Sequence, residues 1–107
     1  MTTEPKQTRT FASFSEFYPY YLKEHSNIQC RRLHFIGTSL VIATLLVAIF
    51  TAKYKLLLML PILGYLPAWI GHFFFEHNRP ATFKYPLYSL LADFAMYRDI
   101  LLNKVHI

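Results

Sequence analysis

Two apolar runs separated by three residues constrain this chain more than any other feature. "FIGTSLVIATLLVAIFTA" covers residues 35–52 without a charge, and "LLLMLPILGYLPAWIGHFFF" covers residues 56–75 with His72 as its one basic group. A hydrocarbon layer about 30 Å thick needs roughly 20 apolar helical residues, with about 17 as the lower limit. Both runs qualify, the first narrowly. Only Lys53, Tyr54 and Lys55 lie between them, which predicts a tight antiparallel hairpin. Each run is apolar on every face rather than striped, unlike a helix lying on a water-facing core. Buried core helices of a water-soluble domain are the competing reading, and composition opposes it. The chain is 54% hydrophobic and 16% charged, whereas soluble domains carry about 25% charged residues. At 107 residues it has room for one small domain. The expectation is an all-α membrane protein: a two-span transmembrane helical hairpin within a single domain over residues 11–107.

The flanks fill out this picture. Residues 1–10 are polar and rich in Thr, and read as a disordered tail with no apolar stretch of the kind a cleavable signal needs. Phe11, Phe14, Phe17, Tyr18, Tyr20 and Tyr21 suit an amphipathic segment at headgroup level. Pro19 is expected to start or kink a helix that continues towards His34. Beyond the second run, Asn78–Arg79–Pro80 ends a helix. Pro86 then opens "LYSLLADFAMYRDILLNKV", a pattern too polar to span, read as an interfacial or partly inserted third helix. A net charge of +5 fits anionic lipid or nucleic acid equally well; the apolar excess selects lipid and argues against nucleic acid. Arg31 and Arg32 precede the first span and Arg79, Lys84 and Arg98 follow the second, so the positive-inside rule places both termini in the cytoplasm. Cys30 is the one cysteine, which rules out an internal disulfide and a thiolate-rich metal site.

The hairpin has a chemical consequence. It returns the chain to its starting side, so His34, before the first span, meets His72 and His77 at the end of the second. His25 lies nine residues before His34, about 13 Å along a helix, and reaches the same level if the helix bends near Asn27. His106 falls outside this set as a tail residue. Five residues at 100° each put His72 and His77 about 140° apart, so both aim at one ion only if a π-bulge or a helix end intervenes. Glu76 shares a face with His72 as a candidate ligand or acceptor for an imidazole N–H. A lone interfacial histidine is ordinarily structural; four that converge suggest a metal, which imidazole alone leaves open among iron, zinc, copper and nickel. Arg79 is a candidate for clamping a carboxylate. Arg31 and Arg32 serve equally well as topology or lipid-phosphate charges.

Taken in order, "FYPYYLKEHSN", "RRLHFIGT" and "GHFFFEHNRPATFKYPLYSLLADF" resemble the small membrane family of 2-hydroxy fatty acid dioxygenases, over about Phe11 to Leu102. The resemblance implies an Fe(II)-dependent enzyme with His25, His34, His72 and His77 as metal ligands. It implies a reaction of a 2-hydroxy fatty acid with O₂ that shortens the chain by one carbon (α-oxidation). A 2-hydroxy carboxylate can chelate iron through its hydroxyl and one carboxylate oxygen, with the acyl tail left in lipid or between helices. Within that scheme Glu76 and Arg79 are the catalytic candidates and Arg32 and Arg79 the head-group candidates. Glu24, Asn27 and Asp93 are candidates to support the ligands by hydrogen bonds. The sequence looks like a short bacterial version, so an inner membrane is expected, or the endoplasmic reticulum for a eukaryotic chain. Two spans are thin walls for a substrate, which leaves room for a homodimer. The alternative from another class is a non-catalytic scaffold or lipid-binding protein with pH-sensing histidines.

Overall fold

A computed structural model describes residues 11–107; the tail expected over residues 1–10 lies outside them. Helix α1 spans Phe14–Lys23 and α2 spans Ile28–Thr51. A 3₁₀ segment, Tyr54–Met59, runs into α3, Leu60–Ile70, which passes into a π-helical turn over Gly71–Glu76. A short 3₁₀ turn, Ala81–Phe83, precedes α4, Pro86–Leu101, and no strand occurs among the described residues.

The expected hairpin is α2 against α3, but α2 begins seven residues before the charge-free run. Asn27 explains why: its Oδ1 accepts from the backbone N–H groups of Gln29 (2.8 Å) and Cys30 (3.4 Å) and so caps the helix. The helix expected to continue from Pro19 to His34 is therefore two helices. Pro19 lies within α1, which stops at Lys23, and residues 24–27 turn the chain. At the far end Ala52 adopts the left-handed conformation (φ 57°) and terminates α2 ahead of Lys53.

Close approach of α2 and α3 depends on a proline and three glycines. Pro67 lies inside α3 and has no N–H to offer the Leu63 carbonyl, its normal helical acceptor. That carbonyl faces Gly37 of α2. A Cβ at residue 37 would lie 3.1 Å from Leu63 O and 3.2 Å from Gly64 O. Nearer the histidines, a Cβ at Gly71 would lie 3.0 Å from Cys30 Sγ and 3.1 Å from its Cα. Between them, a Cβ at Gly64 would lie 3.2 Å from Val41 Cγ2 of α2.

Both helical stretches, Ile28–Thr51 and Tyr54–Glu76, are long and apolar enough to cross a membrane, and only 22% and 17% of their most apolar windows is buried. Core helices of a water-soluble fold would show the reverse. Phe50, Leu58 and Phe74 are 83%, 79% and 68% exposed.

The aromatic N-terminal segment does more than rest at an interface. Phe17 and Tyr21 of α1 are fully buried with Ala92, Met96 and Ile100 of α4. The acidic residues that interrupt the apolar pattern of α4 face α1. The Tyr18 hydroxyl donates to Asp99 Oδ2 at 2.7 Å, and the Tyr21 hydroxyl donates to Asp93 Oδ1. These two Tyr–Asp bonds lock α1 to α4 beside the open end of the hairpin.

The Gly37 contact yields a prediction. Its neighbours are backbone oxygens, which cannot rotate away, so Gly37→Val should destabilise the protein by about 1–3 kcal/mol through overpacking. Thermal unfolding in detergent should show a lowered midpoint, and an unchanged midpoint would contradict the close approach of α2 and α3.

Candidate metal centre

Three of the four expected histidines meet. His25, in the turn after α1, His34, on α2, and His72, in the π-helical turn, are 1%, 5% and 1% exposed. Their candidate ligand atoms all lie within 4.8 Å of one another. His25 Nε2 is 3.1 Å from His34 Nε2 and 2.9 Å from His72 Nε2.

The opposite nitrogen of each ring decides what these Nε2 atoms are. His25 Nδ1 is 2.6 Å from the Tyr21 carbonyl oxygen and His34 Nδ1 is 2.9 Å from the Cys30 carbonyl oxygen. His72 Nδ1 is 2.7 Å from Asn78 Oδ1. A carbonyl oxygen only accepts, so each Nδ1 must carry the hydrogen. In a neutral imidazole the other nitrogen then holds a bare lone pair. Three lone pairs thus converge on one point, an arrangement that repels itself unless a cation lies between. Imidazole–metal bonds are about 2.0–2.1 Å for zinc, and two of them at right angles set the nitrogens about 3.0 Å apart. The Nε2 separations fit that requirement, and so does the donor chemistry.

Local sequence explains each placement. Tyr21 and His25, and likewise Cys30 and His34, are four residues apart, so one turn of backbone supplies each acceptor. Tyr21 also stacks on the His25 ring at 3.9 Å. The irregularity expected between His72 and His77 is present, with a different result. The His72 carbonyl accepts from the N–H groups of both His77 and Asn78. The chain widens into a π turn that ends at His77 in the left-handed conformation (φ 60°). His72 points inward, while His77 is exposed and outside the histidine cluster.

The other candidates divide. Glu76 does not reach an imidazole. Its Oε2 accepts from the Asn27 backbone N–H at 2.6 Å, placing a carboxylate at the N-terminus of α2, where the helix dipole favours it. Glu24 does support a histidine, at one remove: Asn78 donates to the Glu24 side chain at 3.2 Å while its own Oδ1 orients His72. Asn27 acts as the α2 cap and as the partner of Glu76. Asp93 is held by Tyr21, and burial pushes its carboxyl up to about 7. Arg32 and Arg79 are exposed. Sequence reasoning missed Asn78, whose signal was its place directly after the His72–His77 segment. It also missed Arg31, whose Nε donates to the His25 carbonyl at 2.6 Å.

Two cavities adjoin the histidines. A small one is lined by His25, His34 and His72 together with Trp69, Thr82 and Ser89. A larger one of about 350 Å³ extends from His34 past Thr38 and Val41 to Leu45, between α2, α3 and α4. His34, Tyr65 and Asp93 line both.

Comparison with known families agrees with this geometry. The family model described as 2-hydroxy-palmitic acid dioxygenase Mpo1-like matches residues 11–105. The chain belongs to that family. No curated protein and no solved structure matches it at a significant level. The match covers every helix and all three clustered histidines.

The burial of His25 has a measurable consequence for the metal-free protein. Burial first, then the facing His34 and His72 rings, hold its pKa well below the usual imidazole range. Below about pH 6.5 the unfolded chain takes up a proton that folded His25 refuses, so stability falls with acidification. The slope contributed by one such histidine approaches about 1.4 kcal/mol per pH unit. Acidification also protonates the Asp93 carboxyl, which burial raises to about 7, and that opposes the His25 effect. In chelator-treated Asp93→Asn protein, where that uptake is removed, thermal melts should show a falling midpoint from pH 7.5 to 5.5. A flat or rising midpoint in that variant would show that His25 is protonated in the fold.

Proposed function

We propose that this chain is an Fe(II)-dependent membrane dioxygenase that shortens 2-hydroxy fatty acids by one carbon, with His25, His34 and His72 as its metal ligands. The observation that carries the reading is the convergence of three Nε2 lone pairs at the head of an apolar cavity. Membership of a dioxygenase family supports a 2-hydroxy acid as substrate, and iron is the choice within the wider range of metals that imidazole ligands allow. Bound iron would supply the redox chemistry that couples dioxygen to cleavage of the C1–C2 bond. The acid and one O₂ then balance to the acid one carbon shorter, carbon dioxide and water.

The residues of the chain have defined tasks in this scheme. The Tyr21, Cys30 and Asn78 oxygens hold the three rings in one tautomer, so that the lone pairs stay on Nε2. Three protein ligands leave positions for the substrate and dioxygen, the open-site arrangement that oxygenases need. The larger cavity accommodates the acyl tail. From His34 to Leu45 α2 rises about 16 Å. An extended chain advances about 1.2 Å per bond, so that length takes about 13 methylenes. Each buried methylene stabilises binding by about 0.8 kcal/mol. The exposed apolar surfaces of α2 and α3 lie in lipid, with the histidine end at the membrane boundary and both termini on the cytoplasmic side. Against a pH-sensing scaffold stands His25, which burial keeps neutral through the physiological range.

Anaerobic purification in detergent, reconstitution with Fe(II), and addition of 2-hydroxyhexadecanoic acid and oxygen should give pentadecanoic acid. Absence of that product from the iron-loaded protein would end the proposal. His25→Ala, His34→Ala and His72→Ala should each weaken iron binding by more than about 10–100-fold. His77→Gly suits the left-handed backbone there and should retain full iron stoichiometry. Loss of iron from that variant would restore His77 as a ligand.

A further inference from the structure

The small cavity beside the histidines contains an unexplained pair of polar groups. Trp69 Nε1 and Ser89 Oγ are both buried without a hydrogen-bond partner. Ser89 is 2% exposed, and both residues line the cavity that the three histidines also line. Native proteins leave few buried polar atoms unpaired, because an unmet donor retains its full desolvation penalty. Two residues with such atoms, lining the same cavity as a candidate metal centre, indicate a group that completes them.

The chemistry of that group follows from the donors. An indole N–H can only donate, and a serine hydroxyl can donate alongside it, so the missing partner is an acceptor. The cavity holds about 10 Å³, near the lower limit for a single water-sized group. It therefore takes one oxygen atom rather than a whole head group. Asp93, Tyr65 and His34 form the boundary shared with the larger apolar cavity. Trp69 and Ser89 line the small cavity and not the apolar one, whereas His34 and Asp93 line both. A 2-hydroxy acid with its tail in the apolar cavity has its hydroxyl and then its carboxylate at the head of that tail.

We propose that Trp69 Nε1–H and Ser89 Oγ–H form a carboxylate subsite that binds one oxygen of the 2-hydroxy acid. This rests on the functional reading above and replaces the exposed Arg79 and Arg32 as the head-group contacts. Asp93, at the junction, accepts from the 2-hydroxyl. The subsite uses neutral donors inside the fold, so the substrate carboxylate need not reach an exposed arginine while its tail occupies the cavity.

Trp69 is the one tryptophan in the sequence, so its fluorescence reports directly on this wall. The test is anaerobic titration of iron-loaded protein in detergent, where binding is read without turnover. The probes are 2-hydroxyhexadecanoic acid and hexadecan-2-ol, which keeps the hydroxyl and tail but has a methyl group in place of the carboxylate. Wild-type protein should bind the acid more tightly, with a change in Trp69 emission. Ser89→Ala, read by fluorescence, and Trp69→Phe, read by calorimetry, should each weaken the acid by at least about tenfold and leave hexadecan-2-ol affinity unchanged. Neither substitution removes a hydrogen bond of the fold, and Phe retains a ring to stack on Tyr65. Iron content and unfolding midpoints should match wild type. Unchanged acid affinity in both variants would show that only water occupies the cavity, and equal losses for acid and alcohol would show a packing role; either result overturns the subsite. Because turnover is not read, this outcome is independent of whether shortened product forms.

Discussion

Three hydrogen bonds on the far side of the imidazole rings determine what the clustered histidines can hold. Each clustered histidine gives its Nδ1 hydrogen to an oxygen that cannot return one: two backbone carbonyls one helical turn away and the amide oxygen of Asn78. With those bonds in place, the facing nitrogens are lone pairs and the fold carries a concentrated demand for positive charge. Without them, either nitrogen of each ring could take the hydrogen and the cluster would relax into ordinary imidazole pairs. The surrounding contacts keep these oxygens where they are. Arg31 fixes the backbone of His25, Glu24 holds Asn78, and Glu76 ties the π turn to the start of α2.

Such a cluster can be sustained in so small a chain because the rest of the structure is assembled around the open end of one hairpin. Pro67, Gly37 and Gly71 bring α2 and α3 close enough that His34 and His72 share a level. The α1–α4 pair then covers that level. Its two Tyr–Asp bonds place a carboxylate, Asp93, beside imidazoles while its carboxyl oxygen is already engaged. Desolvation that would be prohibitive for isolated charged groups is limited here by keeping His25 neutral and Asp93 hydrogen-bonded.

The hairpin, its short turn and the meeting of His25, His34 and His72 were legible in the sequence. Run length, charge position and chain reversal are enough to specify them, and the order of the three quoted blocks pointed to the family. What the sequence did not reveal depends on backbone irregularity and on packing across elements. A five-residue spacing cannot say which histidine a π turn will direct inward, so His77 looked equivalent to His72. Glu76 is four residues from His72, yet the backbone N–H of the α2 cap, Asn27, draws its carboxylate while the His72 ring is already served by Asn78. Arg79 carried the obvious charge for a carboxylate, but it lies beyond the left-handed residue that turns the chain outward. Trp69 and Ser89 carry no motif at all. They become visible only when α3 and α4 bring an indole N–H and a hydroxyl to the same cavity and leave both unanswered.

The larger cavity has one further consequence. Leu45, Leu90 and Phe94 line it and are also 38%, 47% and 42% exposed, so apolar side chains of α2 and α4 that border the cavity also reach the protein surface. Under the proposed function, a fatty acid in a bilayer would enter laterally past these side chains, tail already among other tails, and the shortened acid would leave the same way. Saturation would then be governed by the mole fraction of substrate within the sheet of lipid, with bulk molarity having little meaning. Lipid packing and lateral diffusion would set the pace of supply.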